Sequence, residues 1–158
     1  MEGFSLDFLE LQKYEQIRYP LLMIDHVEEV IPGQSAHGYK NFTNNEWFFP
    51  IHFPGEPNVP GALLQESLAQ MLTIAITTLP DLAGKTTRFI SFSMTCKKEV
   101  LPGDRLDIET EVLSWKRGIC KGIGKGYVRE TLVCESEMFI TIPEVLEQYS
   151  PKPKSKEK

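Results

Sequence analysis

The 158-residue sequence has little sulfur and little imidazole, three cysteines and three histidines in all. Cys96, Cys120 and Cys134 are odd in number, widely spaced and without a C-x-x-C pair, which argues against a disulfide framework or a zinc site. They are expected to be reduced residues packed on strands. No apolar run reaches the roughly 18 residues a spanning helix needs. The N-terminal MEGFSLDFLELQ is acidic where a secretory signal would be basic, so a soluble, cytoplasmic protein is expected, with no membrane partner. A basic surplus is also missing. The net charge is −5, which argues against general nucleic-acid binding. Positive charge gathers instead in the tail PKPKSKEK (151–158), a local +3 that leaves −8 on the rest. That tail reads as a solvated, disordered end, with docking to an acidic partner as the alternative.

Neither a repeat nor an internal linker divides the chain, and with 41% hydrophobic and 25% charged residues it fits one domain able to bury its own core. Loosely helical spacing of Phe4, Phe8, Leu9 and Leu11 predicts a short N-terminal helix within 1–16. An apolar run from Leu21 to Val30, a Pro32-Gly33 turn and an extended segment ending near Phe42 read as a hairpin. Thr43 and Glu46 have the spacing of a capping box, predicting a helical turn over Glu46 to Phe49.

The stretch from Phe49 to Gln70, FPIHFPGEPNVPGALLQESLAQ, is the most informative. Its loop, Pro50 to Gly61, contains Pro50, Pro54, Pro57 and Pro60, four fixed φ angles that hold one conformation. From Gly61 to about Leu79 no breaker intervenes, and apolar residues occupy nearly every side of the predicted helix, which must therefore be buried. Glu66, Gln70, Thr73 and Thr77 form a single polar stripe along it. Four extended segments follow, at 86–98, 105–116, 119–130 and 132–142, and their regular spacing predicts an antiparallel meander. The glycine-rich GICKGIGKG (118–126) fails the phosphate-loop template, since Gly126 follows Gly124-Lys125 where Ser or Thr is required, and it reads as a twisted or bulged strand. The layout these elements imply is α+β, a curved antiparallel sheet wrapped around one long central helix.

Chemistry concentrates at that helix. His52, fixed in a rigid loop, suits a general base near neutral pH, whereas His26 and His37 lie in the hairpin without such surroundings. Glu66 falls in the second turn of a buried helix, where burial favours the protonated form and suits an acid. Between them the helix start at Gly61-Ala62 offers free N–H groups to a developing oxyanion. Base, acid and oxyanion site together describe proton abstraction next to a carbonyl. No metal cluster, nucleophile elbow or nucleotide site is indicated.

Five ordered motifs resemble the FabZ-type β-hydroxyacyl-acyl carrier protein dehydratases, of the FabA/FabZ-like hot-dog family. They are Arg18-Tyr19-Pro20-Leu21-Leu22-Met23-Ile24-Asp25, Asn44-Asn45-Glu46-Trp47-Phe48-Phe49, the His52-Phe53-Pro54-Gly55 to Pro60-Gly61 loop, Glu66 with Gln70, and Leu101-Pro102-Gly103-Asp104. The resemblance spans roughly 17–142 and implies one hot-dog domain over 1–142, with 143–158 as a C-terminal extension. It implies dehydration of a (3R)-hydroxyacyl thioester to the trans-2-enoyl thioester without cofactor or metal. His52 would remove the α proton, Glu66 would protonate or orient the departing hydroxyl, and the Gly61 N–H would polarise the thioester carbonyl. The Asn58 backbone carbonyl would orient the histidine, although an aliphatic residue is usual at that position. The family pairs the histidine of one subunit with the acid of its neighbour, implying a homodimer with shared sites, with a trimer of dimers as a further assembly. Glutamate at 66 is typical of FabZ and aspartate of the isomerising FabA, so simple dehydration is implied. His26 replaces a common arginine and Glu99 a common proline. Arg88, Lys97 and Lys98 are the candidates for contacting an acidic acyl carrier protein. A hot-dog acyl-thioesterase, an enoyl hydratase or a non-catalytic acyl-binding or dimerising module stay open as alternatives, as does coenzyme A in place of a carrier protein.

Overall fold

A computed structural model describes residues 1–152. In chain order the elements are β1 (Phe4–Leu6), α1 (Phe8–Leu11), β2 (His26–Ile31), β3 (Ser35–Asn41), α2 (Gly61–Thr77), β4 (Arg88–Cys96), β5 (Arg105–Lys116), β6 (Ile119–Val128), β7 (Thr131–Thr141) and α3 (Pro143–Leu146), then a 3-10 turn, Glu147–Tyr149. Among the described residues the strands make one antiparallel sheet in the order β1-β2-β3-β5-β6-β7-β4. The sheet curves around α2, which packs against β3, β5, β6 and β7. This is the hot-dog layout that the resemblance implies.

The central helix is buried because its sequence leaves it no wet face. Leu64, Leu68, Met71, Leu72, Ile74 and Ile76 are each at most 2% exposed, and burying such a side chain is worth about 1.5–3 kcal/mol. The sheet makes room for it with alternate glycines. A Cβ at Gly122 would lie 2.6 Å from Leu72 Cδ2, and one at Gly124 would lie 3.0 Å from Leu68 Cβ. The glycine-rich stretch is thus a strand whose bare face seats α2, with a register shift in each of its ladders, against β5 at Val112/Ser114 and against β7 at Gly126/Tyr127.

Four expectations need correction. Residues 4–6 pair with β2 as an edge strand, and the predicted N-terminal helix shrinks to α1, because Asp7 caps it with bonds to the Leu9 and Glu10 amides at 2.9 and 2.8 Å. The capping box predicted at Thr43 does not form. Glu46 Oε1 lies 2.8 Å from Lys40 Nζ, so its carboxylate serves an ion pair, and residues 44–49 make turns without a helix. The meander comprises β5, β6 and β7 alone, and β4 crosses to the far edge to pair with β7. Cys120 and Cys134 are buried as expected, but Cys96, at the end of that edge strand, is exposed; burial pushes the two inner thiols up to about 12. In the C-terminal extension, α3 returns against the body. The Lys85 ammonium pairs with Glu144, and the Gly118 carbonyl accepts from the Ile142 amide at 2.9 Å. Of the tail predicted to be disordered, residues 153–158 lie outside the described residues.

Among the described residues no helix is long and apolar enough to cross a membrane, and no group of three or more His, Cys, Asp or Glu is placed to hold a metal.

Candidate active site

The loop before α2 is pinned at several points. The Val59 amide donates to the Val100 carbonyl at 2.8 Å, the His52 amide to Phe48 at 2.9 Å, and the Asn58 amide to His52 at 3.0 Å. Phe48 and Phe49 are buried beneath it. The His52 ring stacks on Phe53 with centroids 4.2 Å apart, and its Nδ1 lies 3.0 Å from the Asn58 carbonyl oxygen. A carbonyl can only accept, so Nδ1 carries the proton, and in the neutral ring Nε2 is left with a free lone pair. This is the state a general base requires. Because the contact uses the backbone of residue 58, asparagine serves there as well as an aliphatic residue.

The loop delivers the chain directly into α2. Pro60 contributes no side-chain cap. Its carbonyl accepts from Leu63 and Leu64 at 2.9 and 3.1 Å, and no acceptor meets the Gly61 and Ala62 amides among the described residues. Those two donors and the positive end of a 17-residue helix make a place for developing negative charge. Gly61 also allows close approach, since a Cβ there would sit 3.2 Å from Cys96 Sγ.

Glu66 lies one turn further on and is half-buried. The unpaired carboxylate expected there has a partner, for Gln70 Nε2 donates to Glu66 Oε1 at 3.0 Å. Gln70 also donates to the Leu21 carbonyl at 2.8 Å and accepts from the Met23 amide at 2.7 Å. The Arg18-to-Asp25 motif is therefore docked on the central helix by the residue that holds the acid. The polar stripe does not face water: Gln70, Thr73 and Thr77 are at most 4% exposed. Thr77 donates back to the Thr73 carbonyl at 2.9 Å, while Glu66, Gln70 and Thr73 line a small, partly open hollow of about 80 Å³.

Within one chain, no hydrogen bond or ion pair joins His52 to Glu66 among the described residues. The three candidate docking cations also separate. Lys97 and Lys98 line a hollow of about 290 Å³ with Asn58, Gly61 and Cys96, beside the helix start. Arg88, at the other end of β4, lines the cavity holding Glu66; nine residues of strand separate the two sites by about 26 Å at the usual rise. Of the other histidines, His26 tilts against Tyr39 at 5.5 Å. His37 borders a hollow of about 650 Å³ on the outer face of the sheet, which contains none of the candidate residues.

Sequence reasoning missed Glu15. Its carboxyl shares the cavity with Glu66 and is 3% exposed. Burial, with the Glu66 charge as a further cause, pushes it up to about 7. No local signal marks it, since a glutamate between a short helix and an extended segment reads as solvated by default.

A model of the FabA-like domain matches residues 16–137. A 3-hydroxyacyl-[acyl-carrier-protein] dehydratase FabZ from Moorella thermoacetica is 38% identical over 143 residues, covering 90% of this chain and all of that one. The protein of the same name from Bacillus licheniformis is 41% identical over 140 residues, covering 88% and 97%. Among solved structures, the dehydratase heterocomplex ApeI:P from Xenorhabdus doucetiae superposes with a TM-score of 0.73 at 16% identity, covering 90% of this chain and 97% of that chain. A hypothetical thioesterase with coenzyme A from Streptococcus pneumoniae gives 0.57 at 16% identity, covering 73% and 83%. These two structural likenesses speak for the fold alone, and the thioesterase shares it with the dehydratase. The family assignment rests on the sequence matches: the chain belongs to the FabA-like family, on the branch of the FabZ-type 3-hydroxyacyl-[acyl-carrier-protein] dehydratases.

Proposed function

We propose that the protein dehydrates (3R)-hydroxyacyl thioesters, carried on acyl carrier protein, to trans-2-enoyl thioesters in fatty acid or related lipid or polyketide synthesis. The observation that carries this reading is the His52 ring, whose Nδ1–H is held by the Asn58 carbonyl on a loop that ends at the uncapped start of α2. His52 Nε2 takes the α proton, and the thioester carbonyl, polarised by the Gly61 and Ala62 amides, accommodates the charge. Glu66 gives a proton to the 3-hydroxyl as the C3–O bond breaks, and water departs. The proton on His52 then returns to Glu66, so the enzyme is restored without a metal or cofactor.

No bond joins His52 to Glu66 within one chain, which supports a homodimer in which each site takes His52 from one copy and Glu66 from the other, with a trimer of dimers as the larger assembly. Lys97 and Lys98, beside the helix start, are suited to the acidic carrier protein; Arg88, the third candidate, lies beside Glu66 at the other end of β4.

The test is enoyl-thioester formation from 3-hydroxyacyl substrates on carrier protein and on coenzyme A. His52→Ala and Glu66→Gln should each lower kcat by about 10²–10⁴-fold, the usual contribution of acid–base groups, with unchanged unfolding transitions. Thiol release without enoyl product would establish a thioesterase instead. Binding without turnover would establish a non-catalytic module.

A further inference from the structure

Glu15 lies between α1 and the Arg18 motif, outside every segment that carries the family resemblance, yet its carboxyl is turned inward. Oε1 accepts from the Ile17 amide at 2.9 Å; Oε2 is buried and has no partner. A carboxyl oxygen buried without a partner is costly enough that a hydroxyl or water should meet it. Beside it lies the hollow of about 80 Å³ it shares with Glu66, Gln70, Thr73, Thr87 and Arg88, room for two or three waters at about 30 Å³ each.

Burial and the Glu66 charge favour a retained proton on Glu15, against the Ile17 amide bond and the Arg18 charge. Arg18, next but two along the chain, does not reach the carboxyl. Its guanidinium donates to the Glu15, Ile17 and Gln12 carbonyls. From α2 the facing group is Glu66, of like charge; from β4 it is Arg88, which is itself exposed. With Glu66 facing the same small hollow, both burial and a like charge favour a proton on Glu15.

We propose that Glu15 is a positioning residue for Glu66, the two carboxyls sharing one proton through water in the cavity between them. The inference rests on the dehydratase reading. Glu66 is the member that meets the substrate and gives its proton to the departing hydroxyl. The α proton taken by His52 returns to the pair, so each turnover moves one proton from C2 of the substrate to the water released, and Glu15 holds the proton close to Glu66 between turnovers.

Glu15→Gln keeps the shape and removes the second titrating group. The alkaline limb of kcat/KM for enoyl formation should then move to lower pH by about one unit, a tenfold change in the protonated fraction. At pH 8 the variant should be about tenfold slower than wild type, and at pH 6 the two should agree within about twofold. A limb unmoved by Glu15→Gln overturns the proposal. A second measurement does not depend on turnover. In a ¹³C titration of the side-chain carboxyl carbons, the Glu15 midpoint in wild type should lie well above that of exposed glutamates and should fall by about one unit in Glu66→Gln. A Glu15 midpoint indifferent to Glu66→Gln also overturns it. If wild type forms no enoyl product while the two carboxyls prove coupled, the reading of the reaction fails and the carboxyl pair stands.

Discussion

At residue 58 the backbone does the work and the side chain does not. Asn58 holds His52 with its carbonyl oxygen and donates its amide to the His52 carbonyl. Asn58→Ala should therefore keep kcat within about threefold of wild type, because no hydrogen bond to the imidazole is lost, whereas removing a bond to a group in the site costs about 1–3 kcal/mol. A tenfold or larger loss in steady-state kinetics would show that the side chain takes part. The same distinction explains what was legible at this scale. His52, Gly61 and Glu66 stand out in sequence because rigid loops and helix starts are marked by proline, glycine and polar residues in apolar runs. Glu15 does not stand out, because its burial follows from where α1 and the Arg18 motif dock, and that is decided by Gln70, 55 positions away in the numbering. Glu15 also makes stability depend on pH. With its carboxyl raised from 4.5 to about 7, the folded chain binds more protons than the unfolded one between those values, so stability falls as pH rises through that window. Glu15→Gln should be more stable than wild type at pH 8 and should lose most of that advantage by pH 5, as read from chemical denaturation at the two values.

Among the elements, α2 was readable almost to its ends, since an uninterrupted apolar run after Pro60-Gly61 has only one way to fold. The strands from 105 to 141 were equally clear, by their turns and alternation. Pairing was less legible. Nothing in the segment 88–96 says that it must cross to the free edge of β7, because strand order is decided by which faces cover α2, a property of the whole sheet. The glycines of β6 were visible without their reason, which is the approach of Leu68 and Leu72. Glycines in the sheet differ in what an added methyl would meet. A Cβ at Gly38 would lie 2.0 Å from the His26 carbonyl oxygen, which is backbone beside the β2 bulge, while at Gly124 the nearest atom is Leu68 Cβ at 3.0 Å. Gly38→Ala should cost about 3 kcal/mol and Gly124→Ala about 1 kcal/mol, the two ends of the usual range for overpacking. For a domain of this size these are shifts of about 2–4 °C in Tm per kcal/mol. Equal shifts in calorimetry would refute the ranking.

For the whole molecule, the decisive feature is an edge that a single chain leaves open. β4 is bonded on one side to β7 and carries Phe89, Ile90 and Phe92 at 40%, 51% and 52% exposure. A long edge strand rich in exposed apolar side chains invites pairing, and a second copy would cover it by a two-fold contact. Arg88 of this strand lies beside Glu66 and Cys96 beside Gly61, so such a contact would run along the candidate site. Phe92→Lys, which places charge in that contact, should shift the protein towards monomer in sedimentation and lower enoyl formation in parallel. A sharper measurement asks whether the sites are shared. His52→Ala and Glu66→Gln homodimers are each expected to be inactive. After unfolding, mixing in equal amounts and refolding, half of the dimers should be mixed, and in each of these one of two sites would combine an intact His52 with an intact Glu66. About one quarter of wild-type activity should return, as two-fold symmetry with random pairing requires. If each chain carried a complete site, mixing would restore nothing. A mixed dimer confirmed by mass spectrometry but without activity would therefore rule out the shared arrangement.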